Sequence, residues 1–205
     1  MKLIIMTKAT FFVEEDKILA TLFEEGMESL HLYKPNTEPV YSERLLTLLP
    51  EECRSKITVH EHYYLKEEFR LKGIHLDQAT TPLPAGYRGV VSRTCRDIAT
   101  LKEMKKRSNY VFLQVGAMAP AADSTDNSLR PISAEELSQA SRSGLIDRHV
   151  YALGAQSLDT IRQARDLGFG GIVVGDDLWQ RFNIHNQLDF KELLTHFEKL
   201  RKAVQ

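Results

Sequence analysis

Short apolar runs alternate with amphipathic stretches along the whole chain. The stretch His149–Trp179 shows the repeating unit most plainly. Val150–Leu153 is an apolar run that ends in the small-residue turn Gly154-Ala155. Ser157 can then cap a helix in which Leu158, Ile161, Ala164 and Leu167 recur at helical spacing, and Gly168 stops it. A second apolar run, Gly171–Val174, ends in Gly175-Asp176-Asp177. Two buried strands joined by one amphipathic helix make a βαβ unit with parallel strands. Glycines at the strand ends let a ligand approach the backbone, and N–H groups at a following helix start can hold a phosphate. The same glycines serve equally well as plain tight turns.

The rest of the chain repeats the unit. Strands are expected at Lys2–Met6, Ser29–Tyr33, Ile57–His60, Ile74–Leu76, Gly89–Ser92 and Tyr110–Val115. Helices are expected at Glu14–Glu25, Tyr41–Leu49, Tyr63–Leu71, Asp97–Lys105, Ser133–Ser143 and Asp189–Ala203. Pro82 and Pro84 make Thr80–Tyr87 irregular. Gly116–Pro131 has small and polar residues without periodicity, as lids and disordered segments do. Eight strands alternating with nearly as many helices predict an α/β protein, a single-domain (β/α)8 barrel over residues 1–205, with an open doubly wound sheet as the runner-up. A barrel places its chemistry at the C-terminal ends of its strands.

Composition narrows the classes. The 205 residues suffice for one sizeable core, and 42% hydrophobic with 27% charged residues is ordinary for a soluble protein. A formal net charge of −1 argues against nucleic-acid and membrane partners. The opening MKLIIMT is too short an apolar run for a signal peptide or a spanning helix. Cys53 and Cys95 have no metal-type spacing, which fits a reduced, cytoplasmic protein.

Several polar residues fall at strand ends: His31 and Lys34, then His60, Glu61 and His62, then His75, Asp77 and Gln78, then Ser92, Arg93 and Thr94, and finally Gln114, Gly154, Gly175, Asp176 and Asp177. His60 and His62 point the same way on an extended segment. With His31 and His75 they would form a zinc site, an acid–base cluster or a set of hydrogen-bonded histidines lining the mouth. Glu61 either helps to hold Mg²⁺, which takes oxygen ligands, or lies on the outer side of its strand in solvent. Lys34, Arg93 and Arg130 are candidates to neutralise phosphates, or else ordinary surface charges.

The segments HEHYYLKEEFRLKGIHLDQ, ALGA and GFGGIVVGDDLW resemble, in order and across nearly the whole chain, the thiamine phosphate synthase and TenI-like barrels, above all the divergent TenI-like branch. GIHLDQ is similar to the family's G-[VI]-H-L-G-Q, with Asp77 in place of the glycine. YALGA is similar to its A-I-G-G turn, and GGIVVGDDLW to its G-V-A-V-x-S-A-I phosphate segment. The resemblance implies a (β/α)8 barrel that joins hydroxymethylpyrimidine pyrophosphate to thiazole phosphate, with Mg²⁺ assisting departure of pyrophosphate. It also implies an alternative, tautomerisation of the thiazole phosphate as in TenI-like relatives, and a third, a catalytically silent binder. The expected partner is a small phosphorylated heterocycle, and the expected assembly a homodimer.

Carried over by position, the resemblance gives Lys34 and Arg93 to the pyrophosphate and Glu61 to Mg²⁺. Gly154, Ala155, Gly175 and Asp176 border the thiazole phosphate, although an acid at Asp176 repels it. His60 or His62 is the acid–base of the isomerase alternative. Ser92 is retained from the family's G-x-S-x-H, and His31, His75, Gln78 and Gln114 complete the expected substrate surround. Tyr33 stands where the family has an arginine, His60 where it has an asparagine, Thr80 where it has a second Mg²⁺ aspartate, and Thr94 where it has a histidine. The lysine-bearing loop of the family falls on Gln114–Ala122, which has no lysine.

Overall fold

A computed structural model of the chain describes residues 1–78, 80–115, 132–154, 158–182 and 190–205. The elements in order are β1 (Lys2–Met6), α1 (Glu15–Glu24), β2 (Leu30–Leu32), α2 (Pro39–Leu48), α3 (Glu51–Arg54), β3 (Ile57–Val59), α4 (Leu65–Glu68), β4 (Gly73–Leu76), β5 (Val90–Cys95), α5 (Ile98–Lys106), β6 (Tyr110–Gln114), α6 (Ala134–Arg142), β7 (Val150–Leu153), α7 (Leu158–Asp166), β8 (Gly171–Val174), α8 (Asp176–Trp179) and α9 (Lys191–Val204). All eight strands are parallel and close into a barrel in sequence order. The seam pairs Lys2 with Gly171 and Ile5 with Val174. Closure decides for the (β/α)8 barrel over the open sheet.

Alternation along each strand divides the core into two layers. Outward residues such as Ile5, Leu30, Leu32, Val59, Leu76 and Val111 pack under the helices. Inward residues Ile4, Met6, Tyr110, Phe112, Tyr151, Leu153 and Val173 form a separate cluster inside the barrel. The same alternation turns His31, Thr58, His60, His75, Ser92 and Thr94 inward, and all six are buried. The barrel interior is therefore aromatic and aliphatic on the side of β6, β7, β8 and β1, and polar on the side of β2–β5.

Four elements depart from the sequence reading. β5 runs to Cys95 rather than stopping at Ser92, because Arg93 pairs with Leu76 on one side and Cys95 with Leu113 on the other. α4 is one turn rather than the whole of Tyr63–Leu71, since Arg70 takes a left-handed φ of 53° that ends it. α3 and α8 are short turns of helix that the periodicity did not announce. Thr80–Tyr87 contains no helix among its described residues, as its prolines require. Gly116–Pro131 lies outside the described residues.

Two glycines at the barrel seam leave no space for a side chain. A methyl group on Gly171 would stand 2.6 Å from the Lys2 oxygen, and one on Gly170 would stand 1.9 Å from the Arg148 oxygen. Trp179 fastens the seam from outside, its indole Nε1–H donating to the Met6 carbonyl at 2.7 Å. Gly170→Ala is expected to destabilise the protein by about 2 kcal/mol or more, because backbone rather than a yielding side chain must move. The guanidinium chloride midpoint checks it.

Candidate active site at the barrel mouth

The inward polar residues form one connected network. His60 Nδ1 lies 2.9 Å from Asp77 Oδ1, and His60 Nε2 lies 2.9 Å from His31 Nδ1. His31 Nε2 lies 3.0 Å from the Tyr110 hydroxyl. A carboxylate only accepts, so it fixes the proton of His60 on Nδ1 and leaves Nε2 as an acceptor. His31 Nδ1–H must then donate to His60, and Tyr110 O–H must donate to His31 Nε2. His75 bonds Ser92 Oγ at 2.8 Å through Nδ1 and Thr94 Oγ1 at 2.9 Å through Nε2. Its ring stacks on that of His60, with centroids 4.2 Å apart.

Burial sets the protonation of this network. His31 is held well below its ordinary pKa by desolvation, with the positive forms of His60 and Lys72 adding repulsion. His75 is lowered well below its ordinary value for the same first reason, then by His60, His31 and Arg93. Asp77, with 38% of its side chain exposed, carries the network to the rim. There Glu61 is raised by burial and by the Asp77 charge, against the pull of His60 and of the Lys34 N–H that it accepts at 3.0 Å. The Tyr33 hydroxyl is raised by burial and by Asp77, Glu61 and Asp176, while Arg96 opposes the shift. Tyr63 is pushed up to about 12 by burial and by Asp77 and Glu61. The rim thus gathers Tyr33, Glu61, Asp77, Arg96 and Asp176.

Of the residues singled out in the sequence, the structure brings His31, His60, His75 and Ser92 together inside the barrel. Gln114, Gly154, Gly175 and Asp176 stand at or just after the ends of β6, β7 and β8. Gly154 has a φ of 93°, a conformation that favours glycine. Ala155 and Arg130 lie outside the described residues. His62 does not join His60: its φ of 52° turns it beyond the strand, and Nε2 donates to the Thr37 carbonyl at 2.9 Å. Gln78 contributes its carbonyl to Arg93 at 3.4 Å.

Neither of the two expected phosphate cations points into the barrel interior. Lys34 is fully buried; its ammonium donates to Glu15 Oε1 and Oε2 at 2.6 and 2.9 Å and to the Thr10 carbonyl at 3.0 Å. Those three acceptors match its three donors. Alternation explains the turn: Tyr33 packs inward, so Lys34 goes outward to α1. Arg93 alternates in the same way between inward Ser92 and Thr94, and donates to the Thr81 carbonyl at 2.9 Å. Sequence reasoning missed Tyr110 and Arg96 and gave Asp77 no role. The sole signal for Asp77 was its place one step past an inward histidine in GIHLDQ.

These positions can be set against known proteins. No family model matches the chain, and no curated protein does. Among solved structures, thiamine phosphate pyrophosphorylase from Bacteroides thetaiotaomicron is 44% identical, with 99% of this chain and 97% of that chain covered and a TM-score of 0.87. The chain belongs to the TenI-like thiamine phosphate synthase family. A thiamine phosphate pyrophosphorylase from Pyrococcus furiosus matches at 18% identity over 99% of this chain and 95% of that one, with a TM-score of 0.73. The tryptophan synthase alpha-subunit of the same organism matches at 14% identity over 98% of each chain, with a TM-score of 0.66. The last two share the fold alone. In this thiamine phosphate synthase family member, the rim of β2–β5 therefore lies where its barrel class keeps its chemistry.

Two outcomes follow for stability. Lys34→Ala leaves the Glu15 carboxylate buried without its partner, so it is expected to cost about 3–5 kcal/mol in denaturant unfolding. The second concerns pH. Above about pH 6.5 folded and unfolded histidines are both neutral, and His31 and His75 make no pH-dependent contribution. Below it the unfolded chain takes up protons that the folded chain refuses, so stability falls as pH falls. The slope approaches about 1.4 kcal/mol per pH unit for each histidine, checked by unfolding at pH 7, 6 and 5 in a chelator.

Proposed function

We propose that the protein acts in thiamine biosynthesis as a thiamine phosphate synthase, joining hydroxymethylpyrimidine pyrophosphate to thiazole phosphate and releasing pyrophosphate. The observation that carries this reading is the 44% identity, over 99% of the chain, to the Bacteroides enzyme. In the reaction the thiazole nitrogen forms a bond to the pyrimidine methylene carbon as the bond from that carbon to the pyrophosphate oxygen breaks. The protein must neutralise the departing anion and hold the thiazole close by.

Mg²⁺ would be held at the rim by Glu61 and Asp77, which offer the oxygen ligands that a hard cation takes; each has one hydrogen-bond partner, Glu61 the Lys34 N–H and Asp77 the His60 ring. When bound, Mg²⁺ would offset the charge gathering on the leaving pyrophosphate. Arg96, exposed and near Tyr33, takes the place proposed from sequence for Lys34 and Arg93. Gly154 and Gly175, at the turns after β7 and β8, border the thiazole phosphate. Asp176 opposes an anion there and is better placed to orient the neutral part of the substrate.

A second reading, acid–base tautomerisation of the thiazole phosphate, is favoured by the His60–Asp77 pair at 2.9 Å. One experiment separates the two. Purified protein is given both phosphates and Mg²⁺ and assayed for thiamine phosphate. The synthase reading expects turnover that requires Mg²⁺, is lost in Glu61→Ala and falls about tenfold or more in kcat/KM, over 1.4 kcal/mol, in Arg96→Ala. Absence of turnover beside an active family member overturns it. Metal-independent tautomerisation lost in Asp77→Asn would then establish the second.

A further inference from the structure

The histidines inside the barrel have more structure than a polar core requires. One ligand nitrogen from each of His31, His60 and His75 lies within 4.8 Å of the others, the only group of three or more His, Cys, Asp or Glu so placed among the described residues. His31 Nδ1 and His60 Nε2 face each other at 2.9 Å. Two nitrogens bound to one zinc-class ion at about 2.0–2.1 Å, at angles between square and tetrahedral, stand about 2.9–3.4 Å apart. The two nitrogens are thus already at the separation that one ion would impose, and the ion would sit to one side of the line between them in place of the shared proton. His75 stacks on His60 and meets the His31 ring at a 5.4 Å centroid distance; its two nitrogens bond Ser92 and Thr94, so the ring must turn to give one of them to the ion.

We propose that His31, His60 and His75 form a binding site for one divalent transition-metal ion of the zinc class, separate from any Mg²⁺ at the rim. The partners behind the ligands are already in place. A metal-bound imidazole keeps a proton on its other nitrogen and gives it to an acceptor, most often a carboxylate. Asp77 does this for His60, the Tyr110 oxygen is placed to do it for His31, and Ser92 or Thr94 for His75. On binding, His31 changes tautomer: its proton moves to Nε2, and Tyr110 turns from donor to acceptor. The Tyr110 O–H then turns to another acceptor, and the buried Thr58 Oγ1 has no hydrogen-bond partner as it stands. His31 carries one proton before and after, so its change of tautomer releases none. The two carboxylates of Asp77 and Glu61 offset the charge from the rim. An all-imidazole ligand set favours zinc, cobalt, nickel or copper over magnesium. Three protein ligands also leave a tetrahedral ion one position for water or substrate.

The test does not depend on activity. Full-length protein is stripped with a chelator, shown to be folded by circular dichroism, and titrated with Zn²⁺, Co²⁺ and Mg²⁺. The expected result is one Zn²⁺ or Co²⁺ per chain after desalting, visible cobalt absorption bands that Zn²⁺ abolishes, and no retained Mg²⁺. His60→Ala and His75→Ala should lose the ion, while His62→Ala, whose ring sits on the Thr37 carbonyl, keeps it. Asp77→Asn should weaken affinity about 10–100-fold, which keeps the test open if the histidine variants misfold. The proposal is overturned by folded wild-type protein that retains no stoichiometric ion. Uptake that survives both histidine variants, or affinity unchanged in Asp77→Asn, would overturn it equally.

Discussion

Closing eight strands into a ring forces every second residue into a space that water does not fill. On β6, β7, β8 and β1 that space receives Phe112, Tyr151, Val173 and Ile4, which need nothing but contact. On β2–β5 it receives histidines and hydroxyls, and a buried polar atom without a partner costs about 1–3 kcal/mol. The network running from Tyr110 through His31 and His60 to Asp77 satisfies this demand for the two histidines, and Ser92 and Thr94 for His75, while Thr58 Oγ1 has no partner. Because its last member is a carboxylate at the rim, the direction of every bond behind it is decided. The site is thus ordered from its exposed end inward.

The same two-residue period explains the charges that the mouth does not receive. Lys34 and Arg93 stand between inward neighbours and so point into the layer beneath the helices. Charges there need partners of their own, and each finds them in carbonyls or a carboxylate. Lys34 ties β2 to the start of α1 through Glu15, a contact with structural rather than substrate-binding character. The rim keeps a shorter list of ionic groups: Glu61, Asp77, Arg96 and Asp176.

Much of the fold was legible in the sequence because buried parallel strands are nearly continuous apolar runs, and Val150–Leu153 and Gly171–Val174 are of that kind. β5 was less legible, since Arg93 and Thr94 look like a loop until their pairing is known. His60 and His62 were placed together by assuming an extended chain, yet the strand ends at Val59 and the left-handed turn at His62 parts them. The meeting of His31, His60 and His75 was an open alternative in the sequence, because residue spacing says which way a side chain points but not how deep. Tyr110 shows the same limit: it opens β6 at the far end of its strand, and only the stagger of the barrel brings it beneath His31. Ala155 and the long Gly116–Pro131 segment fall outside the described residues.

The seam between β1 and β8 also bears on how the ring comes to exist. Its partners, Lys2 with Gly171 and Ile5 with Val174, lie at opposite ends of the chain. Until β8 docks, β1 presents a row of unsatisfied backbone groups, the kind of open edge to which another chain can add. Pairings so distant in sequence also slow closure, since the loop entropy must be overcome before they form. Gly171 removes a side chain where β1 and β8 must meet, Gly170 does the same against the backbone of Arg148 before β7, and Trp179 locks the β1 contact from behind. An incomplete barrel of this sequence would therefore be most exposed to self-association at β1, whose second partner is the last strand of the ring.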